Sequence, residues 1–249
     1  MVPLDSYDIV IGGICLLILC IFGYLGYQWW ADKTEFINIK GKNYVVRAGP
    51  ESESRAKQLH AYSECMNSTV NYMQKQWNYF QDSQNVNLSE EKRKDALKKL
   101  NPNFIPPPDP EFIPRLASRW KRLYNGTSPK IRETALNENS AAYLVNKSDE
   151  LRVCLNKIKD PLKEDNNTPC YSNTTMFVLA HELGHVADEN WGHGESFKQA
   201  FQYILRNMRD AGLYKMQDFE NNPVEFCGVE ITRSPCNQRN NFCNNKVSV

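Results

Sequence analysis

Two histidines four residues apart, His181 and His185, sit in the run MFVLAHELGHVA. That run is apolar enough to demand a buried helix. On a helix, positions i and i+4 stack on one face, so both imidazoles can reach a single point while Glu182 projects beside them. The chain has only 4 histidines, and a third, His193, follows between Gly192 and Gly194. Glycines on both sides suit a tight turn that brings the chain back under the helix. Zinc favours neutral imidazole nitrogens in tetrahedral array, and a catalytic site leaves one corner for water. The expected ligands are therefore His181, His185 and His193, with Zn2+ as the cofactor and Glu182 as the catalytic base. Asp188, Glu189, Glu195, Glu220, Glu225 and Glu230 are carboxylate alternatives for the third ligand. Asp188 suits a bond to a histidine ring better than a bond to metal. His60, remote in a helix, reads as an ordinary packing residue.

Residues 9–27 form nineteen consecutive positions without a charged side chain. As a helix they would span roughly 28 Å, close to a bilayer's hydrocarbon thickness. Tyr24, Tyr27, Trp29 and Trp30 lie where an interfacial aromatic belt would sit. Asp5 and Asp8, with no Lys or Arg before the run, argue against a cleaved signal peptide. The expectation is a short tail over 1–8, a transmembrane anchor over 9–30 with the lipid bilayer as partner, and one domain over 33–249. That makes a single-pass protein of a host or virion membrane. Its orientation stays open: Lys33, Lys40, Lys42 and Arg47 favour a cytosolic domain. Sequons at Asn67, Asn87, Asn125, Asn146, Asn166 and Asn173 favour the lumen.

Beyond the anchor, FINI and YVV around Gly41-Lys42-Asn43 read as strands, and spacing by threes and fours gives a helix over 52–81. A second helix spans 89–100, capped by Ser89 with Glu90 and Glu91 in its first turn. Six prolines make 101–114 a stiff connector, after which 115–124 forms a short helix. AAYLVN and LRVCLN around a K-S-D-E loop read as a hairpin, 157–172 as a loop, and 173–190 and 195–211 as helices, the latter ending at Gly212. The tail from Pro223 has a short apolar piece, FCGVEIT, and then a Cys- and Asn-rich end. Cysteines 65, 154, 170, 227, 236 and 243 allow up to three disulfides in fifteen pairings, and the crowding of the last three favours one among them. Without a C-x-x-C pair, a zinc knuckle is not expected. The basic stretch at 92–99 is a solvated helix face, and 115–122 is a second basic stretch. The net charge of +1 gives no field for nucleic acid, so no nucleic-acid partner is expected.

HELGHVADENWGHGESFKQAFQYILRNMRDAGLY resembles the active-site region of the WLM and SprT-like zincin metallopeptidases, especially those encoded by large nucleocytoplasmic DNA viruses. YVVRAGPESESRAKQL, YLVNKSDELRVCL, NTTMFVLAHELGH and PVEFCGVEITRSPC extend the resemblance over residues 41–236. It implies an α+β, zincin-like fold with a small sheet whose edge strand lines the cleft. It implies His181, His185 and His193 as zinc ligands and a protein or peptide substrate. SprT-like enzymes place the third histidine further along, so the spacing here follows the WLM-like side. The expected activity is membrane-anchored, zinc-dependent peptide hydrolysis, with Tyr214 or Tyr171 assisting at the oxyanion. The other expectation is a catalytically silent assembly protein of a viral membrane that keeps the same scaffold.

Overall fold

The computed structural model describes residues 6–31, 33–125, 128–135, 138, 140–155, 173–236 and 243. The expected loop over 157–172, with Cys170, Asn166 and Tyr171, lies outside them, as does most of the Cys- and Asn-rich end.

The expectation of a membrane anchor is corrected. Helix α1 covers Ser6–Ala31, yet among the described residues no helix is long and apolar enough to cross a membrane. The transmembrane element of the expected fold class, the bilayer partner at residues 9–30 and the host- or virion-membrane location all depend on that span and fall with it. So do the membrane-anchored peptidase and the viral-membrane assembly protein.

The described residues form an α+β fold of six helices and two small open sheets. Strands β1 (Thr34–Ile39) and β2 (Lys42–Arg47) pair antiparallel. Lys40 (φ 50°) and Gly41 (φ 84°) join them, the paired positive dihedrals of a two-residue type I′ turn. Three helices then intervene: α2 (Ser52–Gln84), α3 (Glu90–Lys99) and α4 (Phe112–Tyr124). Ser89 caps α3 through the Lys92 N–H at 3.4 Å. Helix α4 begins three residues earlier than expected, because Pro114 falls in its first turn, where a missing N–H costs no helical bond.

Strand β3 (Ile131–Glu133) runs parallel to β2 and to β5 (Glu150–Val153), and β4 (Ala142–Val145) closes the sheet antiparallel to β5. The order β1-β2-β3-β5-β4 leaves β4 at one edge. The buried carboxylate of Glu133 ties the β2 end to α2, accepting from Arg47 and from Arg55.

Helices α5 (Asn173–Ala187) and α6 (Glu195–Asp210) complete the core. α6 ends in a Schellman motif: Gly212 takes φ 72°, its N–H bonds the Arg209 carbonyl, and the Leu213 N–H bonds that of Met208. The second sheet is the hairpin β6 (Val224–Phe226) and β7 (Val229–Ile231), turning at Cys227 and Gly228. A disulfide joins Cys154, just after β5, to Cys227 in that turn, and another joins Cys236 to Cys243. Cys65 is disulfide-bonded as well. A central cluster including Tyr44, Leu59, Met66, Trp120, Leu179, Leu183, Ile204 and Met208 unites the sheet with α2, α4, α5 and α6.

Candidate metal centre

Helix α5 is buried on nearly every side, from Thr174 through Ala187. Such a helix needs apolar residues all round, and MFVLA supplies them. A polar side chain placed there must find a partner or a function. Its two histidines project together, and the turn after the helix returns His193 to them. The Nε2 atoms of His181, His185 and His193 are 3.2, 3.2 and 3.1 Å apart. Three nitrogens around one ion at the usual zinc–nitrogen length of about 2.0–2.1 Å stand about 3.3–3.4 Å apart, so the spacing fits a shared centre. The three histidines thus form a cluster capable of coordinating a divalent metal ion.

Electrostatics favour the ligand form. Burial, followed by the neighbouring His185 and His193, holds the His181 pKa down to about 3. Burial and then His193 hold His185 down to about 4. Both rings are therefore neutral near pH 7, the state in which imidazole donates a lone pair to a metal.

Ring orientation is set by Phe197 in the first turn of α6. It stacks on His185 at 4.2 Å between centroids and meets His181 and His193 edge-on, each at 4.8 Å. Gly184 makes this approach feasible, since a Cβ there would lie 3.1 Å from the Phe197 ring. Phe201, one turn on, meets His181 edge-on as well.

The turn bearing His193 is held by cations. The last carbonyls of a helix lack partners within it and carry partial negative charge. Arg115 donates to the Ala187 carbonyl at 2.6 Å, and Arg119 donates to those of Val186 and Asp188 at 2.9 and 2.8 Å. Lys147, buried and at φ 58°, donates to the carbonyls of Asp188 and Asn190 and lies over the Trp191 ring. The Asp188 carboxylate accepts from the Asn190 N–H and the Ser196 hydroxyl. It pins the turn rather than a histidine ring. Gly192, at φ 88°, supplies a backbone conformation that L side chains resist.

Glu182 is buried, and its Oε2 has no hydrogen-bond partner. Burial pushes its pKa up to about 8. With His181 it borders a cavity of about 240 Å³ whose other lining includes Ala142 of β4, Phe177 and Val178 of α5, and Val229 and Ile231 of β7. The expected helper Tyr214 is buried against Phe177, a core position. Among the described residues, the acidic alternatives Asp188, Glu189, Glu195, Glu220, Glu225 and Glu230 do not join the three-histidine group. His60 bonds the Tyr44 hydroxyl at 3.0 Å, a packing role.

Sequence reasoning missed Phe197, Arg115, Arg119 and Lys147 as parts of the site. Phe197 lies in the first turn of α6, four residues after His193. Arg115 and Arg119, one turn apart in the basic stretch 115–122, carried a signal. Lys147 in a hairpin turn carried none.

Fold and site together define an α+β protein with a three-histidine centre able to hold a metal. No protein-family model matches the chain, and no solved structure matches it. It is 30% identical over 119 residues to "Uncharacterized protein R325" of Acanthamoeba polyphaga mimivirus, covering 46% of this chain and 57% of that protein. It is 33% identical over 82 residues to "Uncharacterized protein 136R" of Invertebrate iridescent virus 6, covering 33% of this chain and 43% of that protein. The chain thus spans about half the length of these relatives.

Proposed function

We propose that the protein is a zinc-dependent metallopeptidase of the WLM or SprT-like kind, with His181, His185 and His193 as ligands and Glu182 as the base. The observation that carries the reading is an unpartnered, buried glutamate next to three convergent imidazole nitrogens. A structural metal site gives no reason to keep such a carboxylate. The donor set of three imidazoles fits zinc, which when bound supplies Lewis acidity toward water and a substrate carbonyl.

The chain's own residues supply the rest. Among the described residues β4 is an edge strand beside α5, and an extended peptide can add to it as a further strand. Glu182 Oε2 then accepts the proton released by the attacking water and returns it to the departing amine. A pKa near neutrality lets one group do both, and a cation close by draws that value down from its buried level. Phe177 and Val178 restrict water around the carboxylate, which strengthens its interactions.

The test compares wild type with Glu182→Gln on a mixture of unstructured peptides, both proteins assayed for zinc. The expected result is equal zinc content with cleavage lowered about 10²- to 10⁴-fold in the variant, the usual worth of a positioned general base. Zinc-loaded wild type that cleaves nothing the variant spares contradicts the reading.

A further inference from the structure

The cavity beside Glu182 has a construction of its own. Its lining is aliphatic or aromatic apart from Ser140, His181 and Glu182. At about 240 Å³ it is smaller than the roughly 300–1,000 Å³ of small-molecule sites. That is room for a side chain rather than a free ligand. Two alanines, Ala141 and Ala142, create the space on the sheet side, and Val229 and Ile231 of the hairpin close it.

The wall is also a separate piece of architecture. Cys154, Val178 and Phe226 form an apolar cluster distinct from the main core, joined by Ala141, Ala142, Cys227 and Ile231. The Cys154–Cys227 disulfide fixes the hairpin turn to the end of β5. The hairpin is thus secured to the sheet at the position where it bounds the cavity.

Register connects the cavity to the sheet edge. Side chains alternate along a strand, so Ala142 and Leu144 share one face of β4. Leu144 packs on the main core and Ala142 lines the cavity. A peptide added along β4 would place every second side chain on that same face.

We propose that this cavity is a specificity pocket for an aliphatic side chain of about leucine size, flanking the bond to be cleaved in an extended peptide. The β6–β7 hairpin forms its outer wall, and Ala142 and Val229 set its size and polarity. This rests on the peptidase reading and adds the substrate class to it.

The experiment uses the full chain, zinc-loaded and kept oxidised, with a randomised peptide library whose cleavage products are read by mass spectrometry. One position beside the cleaved bond should favour Leu, Ile or Phe over Asp or Lys about tenfold or more, the worth of a small apolar difference in a fitted pocket. Ala142→Leu should shift that position toward Ala or Gly, and Val229→Asp should shift it toward Lys. Cleavage without apolar preference overturns the pocket and leaves the peptidase reading standing. If nothing is cleaved, the peptidase reading falls, and binding decides the pocket. Labelled peptides differing only as Leu or Asp are titrated into wild type and Ala142→Leu by fluorescence polarisation. An affinity at least tenfold higher for the Leu peptide, abolished in the variant, sustains the pocket; equal affinities overturn it.

Discussion

At the C-terminal end of α5, Arg115, Arg119 and Lys147 hold the His193 turn through backbone carbonyls, and one aromatic ring touches all three imidazoles. Beside its N-terminal half, the cavity wall is a two-stranded hairpin fastened by a disulfide and a small apolar cluster. The first arrangement fixes directions, as metal ligation requires, since a nitrogen displaced by a few tenths of an ångström is a poor ligand. The second fixes a boundary, which is all that a side-chain pocket needs. Perturbing the first should therefore reach the metal, and perturbing the second should not.

The largest expected effect comes from Phe197→Ala. Removing a buried phenylalanine costs about 3–5 kcal/mol, and here it also frees three rings. A lower unfolding temperature should come with weaker zinc binding in a chelator competition. Next is Cys227→Ser. Opening a disulfide with a sequence separation of 73 should cost about 2–4 kcal/mol, read by denaturant unfolding, with zinc affinity unchanged. Should it weaken zinc as much as Phe197→Ala does, the two regions are not independent.

Lys147→Met leaves the Asp188 and Asn190 carbonyls without their cation. Zinc affinity should drop about 10- to 100-fold, the usual effect of losing a partner that orients a ligand. Lys147→Arg should recover part of it. A fall in unfolding temperature with unaltered zinc affinity would make Lys147 a purely structural residue.

The smallest effect is the pH dependence of the metal-free chain. His181 and His185 titrate near 3 and 4 when folded, below the ordinary histidine value. Between those values and about 6.5 the unfolded state holds protons the folded state does not, so their contribution is lost as pH falls. Glu182 has the opposite sign. Raised to about 8, it stabilises the fold below about pH 4.5, and that contribution is lost as pH rises through 8. Unfolding temperature should thus decline from pH 6.5 to 8.5, and Glu182→Gln should flatten that decline. A decline that persists in the variant assigns it to other groups.

Much of the site was legible because its information is local. A four-residue histidine spacing inside an apolar run dictates a helix with both rings on one face. Glycines around His193 dictate a turn. The hairpins at 40–41 and 146–149 were likewise written in short-range chemistry. What escaped is long-range. The parallel pairing of β3 with β2 and β5 has no signature in neighbouring residues, nor has the choice of Cys227 as partner for Cys154. Arg115 and Arg119 look like part of a basic stretch until α5 ends beside them. Residues 9–27 illustrate the converse: absence of charge describes a sequence, whereas crossing a bilayer needs a helix that is long and apolar enough together, which no described helix is.

Zinc-edge X-ray absorption on the full chain, dialysed after loading with one equivalent, tests the account most directly. The expected spectrum has three imidazole nitrogens at about 2.0–2.1 Å and one further light-atom ligand, and one imidazole fewer in His193→Ala. Zinc lost on dialysis, or a spectrum unaltered in that variant, would contradict the three-histidine centre.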